Sequence, residues 1–208
     1  MAIAGRAPRR RRRAFGRSSG YNKGEMAEPK PFLPVKLICG VMASDVRLIG
    51  TAEDRLAEVY GPIDRRSPLF DFDTTDYYTE EMGGAVKRTF LSFKNLVPPT
   101  RLASIKLRTN ELEEIIRKAS GLEFRAVNLD PGYLTPSALI MATTKNFAHR
   151  VPLADGIYAH LELLFVKTGV KLLEWTYPDY RRKEPEEFFL GVRRAYLEEL
   201  KRKIEEQG

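Results

Sequence analysis

Four short stretches gather the residues able to do chemistry: Asp71-Phe-Asp-Thr-Thr-Asp-Tyr-Tyr-Thr-Glu-Glu-Met-Gly-Gly84, Asn128-Leu-Asp-Pro-Gly-Tyr133, Thr143-Thr-Lys-Asn-Phe-Ala-His-Arg150 and Glu174-Trp-Thr-Tyr-Pro-Asp-Tyr-Arg-Arg182. Each mixes carboxylates, amides, cations and aromatics beside turn residues, a composition suited to a site rather than to a core. Asp71 and Asp73 stand two apart on a strand and share a face. Such a pair can hold Mg²⁺, because a hard cation takes oxygen ligands and commonly shares them with phosphate. An edge strand turning to solvent would hydrate the same acids. Tyr77 and Tyr78 beside them favour a ligand, since a plain solvated turn has little use for two tyrosines. Asn128 and Asp130 also share a face and could hold a metal or ribose hydroxyls; alternatively Asp130 caps a Pro131-Gly132 turn.

Lys145, His149 and Arg150 concentrate three potential cations in six residues. They could grip a phosphate, with Arg150 bidentate and His149 able to titrate near neutral pH. In Ile157–Val166, the residues Ile157, Ala159, Leu161, Leu163 and Phe165 take one strand face, leaving Tyr158, His160 and Glu162 on the other. That makes His160 and Glu162 acid–base candidates, with a structural histidine as the alternative; His149 is the third catalytic candidate. Trp175 and Tyr177 could stack a base or a sugar, or could seal the last helix onto the sheet. Arg181 or Arg182 could neutralise phosphate.

The elements that must position these residues follow from apolar spacing and breakers. Val35–Met42 is an apolar run of buried-strand length. Its Cys39, the chain's one cysteine, reads as a small buried hydrophobe. Thr51–Gly61 reads as a helix capped by Thr51, burying Leu56, Val59 and Tyr60 and stopped at Gly61-Pro62. Pro68–Tyr78 and Val86–Val97 read as paired strands around Gly83-Gly84. Thr100–Ser120 is a helix with Leu102, Ile105, Leu112, Ile115 and Ile116 at helical spacing and Gly121 past its end. Its Glu113–Arg117 and Glu114–Lys118 pairs mark a solvated face. Strands follow at Phe124–Leu129, Ala138–Thr144, Ile157–Val166 and Val170–Trp175, then a helix from Pro185 that buries Phe188, Phe189, Val192, Tyr196 and Leu200. The expected fold is α+β: a ferredoxin-like β-α-β-β-α-β order extended by a hairpin-rich segment and a C-terminal helix, with helices packed on a mostly antiparallel sheet.

The chain has 208 residues, 43% hydrophobic and 30% charged, the profile of a globular protein with a substantial core. Its formal charge of +7 is misleading. Residues 1–24 carry eight cations and no acid, so taking eight from +7 leaves −1 for everything after them. Residues 1–25 are expected to be a disordered Arg-rich extension, and 26–208 a single domain. The extension could be a nucleic-acid arm, a transit segment, or sequence upstream of a native start at Met26; the last is favoured, because all organisation begins there. No apolar run reaches the length of a membrane span, and the expected location is the cytoplasm.

No P-loop, G-x-G-x-x-G, G-x-S-x-G or H-E-x-x-H occurs, which disfavours conventional P-loop NTPases, Rossmann dehydrogenases and α/β-hydrolases. The ordered motifs Asp-Tyr-Tyr-Thr-Glu-Glu-Met-Gly83, Lys-Leu-Arg-Thr-Asn-Glu111, Asn-Leu-Asp-Pro-Gly-Tyr133, Thr-Lys-Asn-Phe-Ala-His-Arg150 and Glu-Trp-Thr-Tyr-Pro-Asp-Tyr-Arg181 resemble a bacterial family catalogued as domain of unknown function 4416, over about Pro34 to Lys201. The resemblance implies no established reaction. Members sometimes carry a generic GTP-binding label, whereas this chain has no P-loop. The expected function is binding of a phosphorylated small molecule or nucleotide, with Mg²⁺-dependent catalysis left open. In that reading Asp71, Asp73 and Asp130 hold metal or ribose, while Tyr77, Tyr78, Asn128, Lys145, Arg150, Trp175, Tyr177 and Arg181 hold the ligand. The rivals are a nucleic-acid module, with the tail supplying affinity, and a protein-interaction module without chemistry. Oligomeric state is left open.

Overall fold

A computed structural model describes residues 28–73, 81–82 and 84–207. Tyr77 and Tyr78 lie outside the described residues, as does the Arg-rich extension. Nine antiparallel strands form one sheet in the order β2-β4-β1-β5-β6-β8-β7, with β3 also paired to β4 and β9 to β8. They are β1 (Val35–Ala43), β2 (Ile63–Arg66), β3 (Phe70–Phe72), β4 (Val86–Val97), β5 (Asn128–Leu134), β6 (Ala138–Thr143), β7 (Arg150–Ala154), β8 (Ile157–Val166) and β9 (Gly169–Leu172). The long helices among the described residues are α1 (Val46–Tyr60), α2 (Leu102–Ser120) and α3 (Lys183–Gln207). No helix among the described residues is long and apolar enough to cross a membrane.

Period-two alternation in β1 sorts the core into two layers. Leu37, Cys39 and Val41 face α1 and α2, where they meet Ile49, Leu56, Ile105, Leu112 and Ile116. Ile38 faces α3, with Phe90, Leu139, Leu163, Phe189, Val192 and Tyr196. Helices therefore cover both faces of the sheet. α1 leads from β1 to β2 across β4, and α2 leads from β4 to β5 across β1. The expected α+β architecture, with helices on an antiparallel sheet, is present; the six-element order is altered by one extra strand.

That strand is β2. It escapes a pattern search because only Ile63 is apolar, and Asp64, Arg65 and Arg66 are exposed on the sheet edge. β7 is hidden by Pro152, which edge strands tolerate, and its apolar Val151 and Leu153 are exposed. Its turn is Asp155-Gly156, with φ of 53° and 76°, the paired positive φ values of a tight hairpin. Helix α1 starts earlier than expected, because Asp45 rather than Thr51 accepts the capping bond, from Arg47 N–H. Its buried stripe is Ile49, Ala52, Leu56 and Tyr60; Val59 is exposed. Ile115 of α2 is likewise exposed, while Gly121 ends the helix in the left-handed conformation as expected. Cys39 is a buried core residue, and burial pushes its thiol pKa well up.

Candidate functional site

The site arises where the sheet splits. β5 and β6 pair only from Gly132–Leu134 to Leu139–Met141, while β5 follows β1 back to Asn128. On the side that β6 has left, Leu129 turns its backbone to helix α2. Its N–H donates to Glu113 Oε1 at 2.7 Å, and its carbonyl accepts from Lys106 Nζ at 2.7 Å. Pro131 has the same parity as Leu129, so its missing N–H falls on the open side, where no strand needs it. The expected Pro131-Gly132 turn is thus continuous strand. Gly132 forms the last rung because a Cβ there would lie 2.5 Å from the Ile140 carbonyl oxygen.

The fork opens a cleft of about 630 Å³. Along its β5 side runs an alternating chain of charge. Arg88 of β4 donates to Asp179 at 2.5 Å, to Tyr180 OH at 3.1 Å and to Asp130 at 3.3 Å. Asn128 donates to Asp130 at 2.8 Å and accepts from Arg125, which also pairs with Glu113 at 2.6 Å. The Arg88 guanidinium sits over the rings of Phe90 (4.6 Å) and Tyr180 (5.0 Å). Gly40 of β1 makes room for it, since a Cβ there would lie 2.7 Å from Arg88 Nη2.

The opposite wall is β8 with the turn 178–181. The Met141–His160 and Leu139–Leu163 pairs enclose an irregularity around Glu162. Beyond this bulge, Leu163 and Phe165 join the α3-facing core, whereas Ile157 and Ala159 pack with Leu102 on the other side. The strand therefore does not alternate throughout as expected. His160 and Glu162, two residues apart, line the cleft together beside this bulge, a common place for one. His160 Nδ1 accepts from Arg150 Nε at 3.2 Å, which puts the proton of the neutral ring on Nε2. Nε2 lies 3.0 Å from Glu162 Oε2, a contact of ion-pair length without the alignment of a hydrogen bond. Glu162 Oε1 accepts from Tyr177 N–H at 2.7 Å. Both members of the acid–base candidate pair are thus engaged by protein groups.

Of the residues singled out by sequence, the cleft is lined by Asn128, Asp130, Lys145, His160, Glu162 and Tyr177. Arg150 is tied into its wall, donating to Lys145 O and Tyr177 OH as well as to His160. His149 stands one layer back, stacked on Trp175 at 4.7 Å and edge-on to His160 at 4.8 Å. Burial lowers its pKa, helped by the nearby His160 and Arg150. Trp175 donates to Leu161 O. Arg181 clamps the backbone, donating to the carbonyls of Leu173, Glu174 and Thr176.

The expected three-aspartate set does not assemble. Asp71 pairs across strands with Lys87, on the sheet face opposite Arg88 and Asp130, and Asp73 pairs with Arg182. Among the described residues no group of three His, Cys, Asp or Glu is placed to hold a metal. Sequence reading missed Arg88, Lys106, Glu113, Arg125 and Asp179. Two signals were available. Lys106, Asn110 and Glu113 form a polar i, i+4, i+7 stripe, and Arg88 occupies a buried-parity position between Val86 and Phe90.

Burial raises the pKa of both Asp179 and Glu113, although Arg88 and Arg125 pull the other way. A carboxyl raised in the folded state binds more protons there than in the unfolded chain. Its contribution is full below the ordinary carboxylate range near pH 4 and is lost as pH rises toward the raised value. Asp179→Asn removes that loss. Its stability relative to wild type should therefore improve between about pH 4 and neutrality, as read by urea unfolding across the range; a flat difference would contradict the assignment.

No curated protein and no solved structure matches this chain. One family does: the domain of unknown function DUF4416 matches residues 33–196, a span from the segment before β1 into helix α3 that includes every described residue of the cleft, and the chain belongs to that family.

Proposed function

We propose that this is a cytoplasmic protein that binds a phosphorylated small molecule or nucleotide in the cleft at the β5–β6 fork. Lys106 carries the reading. It is 6% exposed, lines the cleft, and spends one of its three N–H donors on Leu129 O; its ion pair with Asp130 Oδ1, at 3.9 Å, is too long for a hydrogen bond. A buried ammonium left short of acceptors is costly, and a ligand oxyanion would complete it. Arg88, Arg125 and Lys145 line the same cleft.

Four carboxylates, Glu113, Asp130, Glu162 and Asp179, balance those four cations. A phosphate dianion would therefore arrive with a counter-cation. Asp130 is the most open of the four acids, at 28% side-chain exposure against 12% for Glu113 and 2% or less for the others. It is the residue to share Mg²⁺ with the phosphate, in the way this ion usually binds. Mg²⁺-dependent turnover is the enzymatic form of the reading.

A thermal-shift screen against nucleotides, sugar phosphates and nucleic acids, with and without Mg²⁺, tests it. A ligand at roughly a hundred times its Kd should add about 2.7 kcal/mol. The expected result is a Mg²⁺-enhanced shift with one phosphorylated class. A shift confined to nucleic acid and erased by salt would transfer the function to the Arg-rich extension. No shift with any phosphorylated class would favour a protein-interaction module.

A further inference from the structure

We propose that the cleft takes a nucleotide whose base stacks on the outward face of Tyr177, with its phosphate toward Lys106. The inference rests on the cleft reading above and narrows it. Tyr177 lines the cleft and is 44% exposed, yet it is held at three points. Its backbone N–H donates to Glu162 Oε1, its phenol oxygen accepts from Arg150 Nη2 at 2.8 Å, and its ring stacks on His160 at 5.5 Å and 21°. His160 and Glu162 are both 1% exposed.

Burying a carboxylate and an imidazole is costly unless their partners are well placed. Here His160 accepts from Arg150 and Glu162 accepts from the Tyr177 N–H, so the buried polar groups of β8 serve to immobilise one surface ring. A rotamer already fixed loses little entropy when a flat ligand lands on it. His160 stacks on one face of Tyr177, and the ring keeps enough exposure at the cleft for a flat ligand to reach it. The neighbouring Trp175 repeats the device. It is 38% exposed, backed by His149 in near-parallel stacking, and pinned through Nε1 to Leu161 O at 2.7 Å. Of the two rings, Tyr177 is the one that lines the cation-bearing cleft, and it is the stacking surface. A nucleobase has the flat π-face that matches it; a sugar phosphate has none.

The test is calorimetric titration of the full chain with the four common nucleoside 5′-monophosphates and with ribose 5-phosphate, in Mg²⁺. At least one nucleotide should bind roughly tenfold or more tightly than ribose 5-phosphate. Tyr177→Leu should erase that difference and leave ribose 5-phosphate binding in place; Tyr177→Phe, which keeps the ring, should retain most of it. Circular dichroism and a thermal melt check that each variant is folded. Equal affinities for nucleotides and ribose 5-phosphate would overturn the stacking inference while leaving the phosphate site standing. A base preference that survives Tyr177→Leu would also overturn it, placing the base elsewhere. Failure of every probe to bind would remove the cleft reading, and this inference with it.

Discussion

Arg88→Met is expected to lower the unfolding free energy by about 3–5 kcal/mol, the range for removing one partner of a buried ion pair. Arg88 is 4% exposed and Asp179 2%. Methionine fills much of the arginine's volume, so the cost is mainly electrostatic. Asp179 would be left buried without its 2.5 Å partner, and Asp130 would lose its 3.3 Å bond. Two further measurements separate this from a packing defect. Asp179 would answer the loss by taking up a proton, so the deficit should shrink at acidic pH. The Arg88→Met, Asp179→Asn double variant should recover a substantial part of the single variant's loss, because the orphaned charge has gone. Urea unfolding reads both. A deficit independent of pH and unchanged in the double variant would mean that Arg88 acts by packing against Phe90 and Tyr180 alone.

Lys106→Met is expected to weaken binding of the phosphorylated ligand about a hundredfold. Hydrogen bonds to charged groups contribute about 1.5–3 kcal/mol each, and each 1.4 kcal/mol is a factor of ten. Stability should change far less than affinity. The substitution strips Leu129 O of its donor, which costs, and removes a buried charge, which relieves. These opposing terms offset each other within the fold, whereas nothing offsets the loss at the ligand. Lys106→Arg should restore only part of the affinity, since the longer fork cannot occupy the same point beside Asp130. Titration against whichever class gives the thermal shift measures the ratio. Unchanged affinity in Lys106→Met would move the phosphate to the Arg88–Arg125 side of the cleft or out of it.

The sequence by itself determined what depends on local pattern. The apolar run at Val35–Met42, the 3.6-residue spacing of Phe188, Phe189, Val192, Tyr196 and Leu200, and the glycine after Ser120 specified their elements, because each is enforced by its own neighbours. It also pointed to Asn128, Asp130, Lys145, His160, Glu162 and Tyr177, since polar residues at strand ends and on a buried strand have few other uses. Tertiary structure decided which of them meet. Asp71 and Asp130 are alike as residues, but strand pairing puts them on opposite faces of one sheet, and no spacing within either strand reveals that. Leu163 and Phe165 join the core facing α3, opposite to Ile157 and Ala159, through a bulge whose register is set against β6, not within β8. Lys106 and Glu113 look like the polar side of a helix. They become cleft residues because β6 diverges from β5 and leaves the Leu129 backbone to be satisfied by α2. A buried backbone group must find a partner from somewhere, and only the assembled fold determines whether that partner is a strand or a pair of charged side chains.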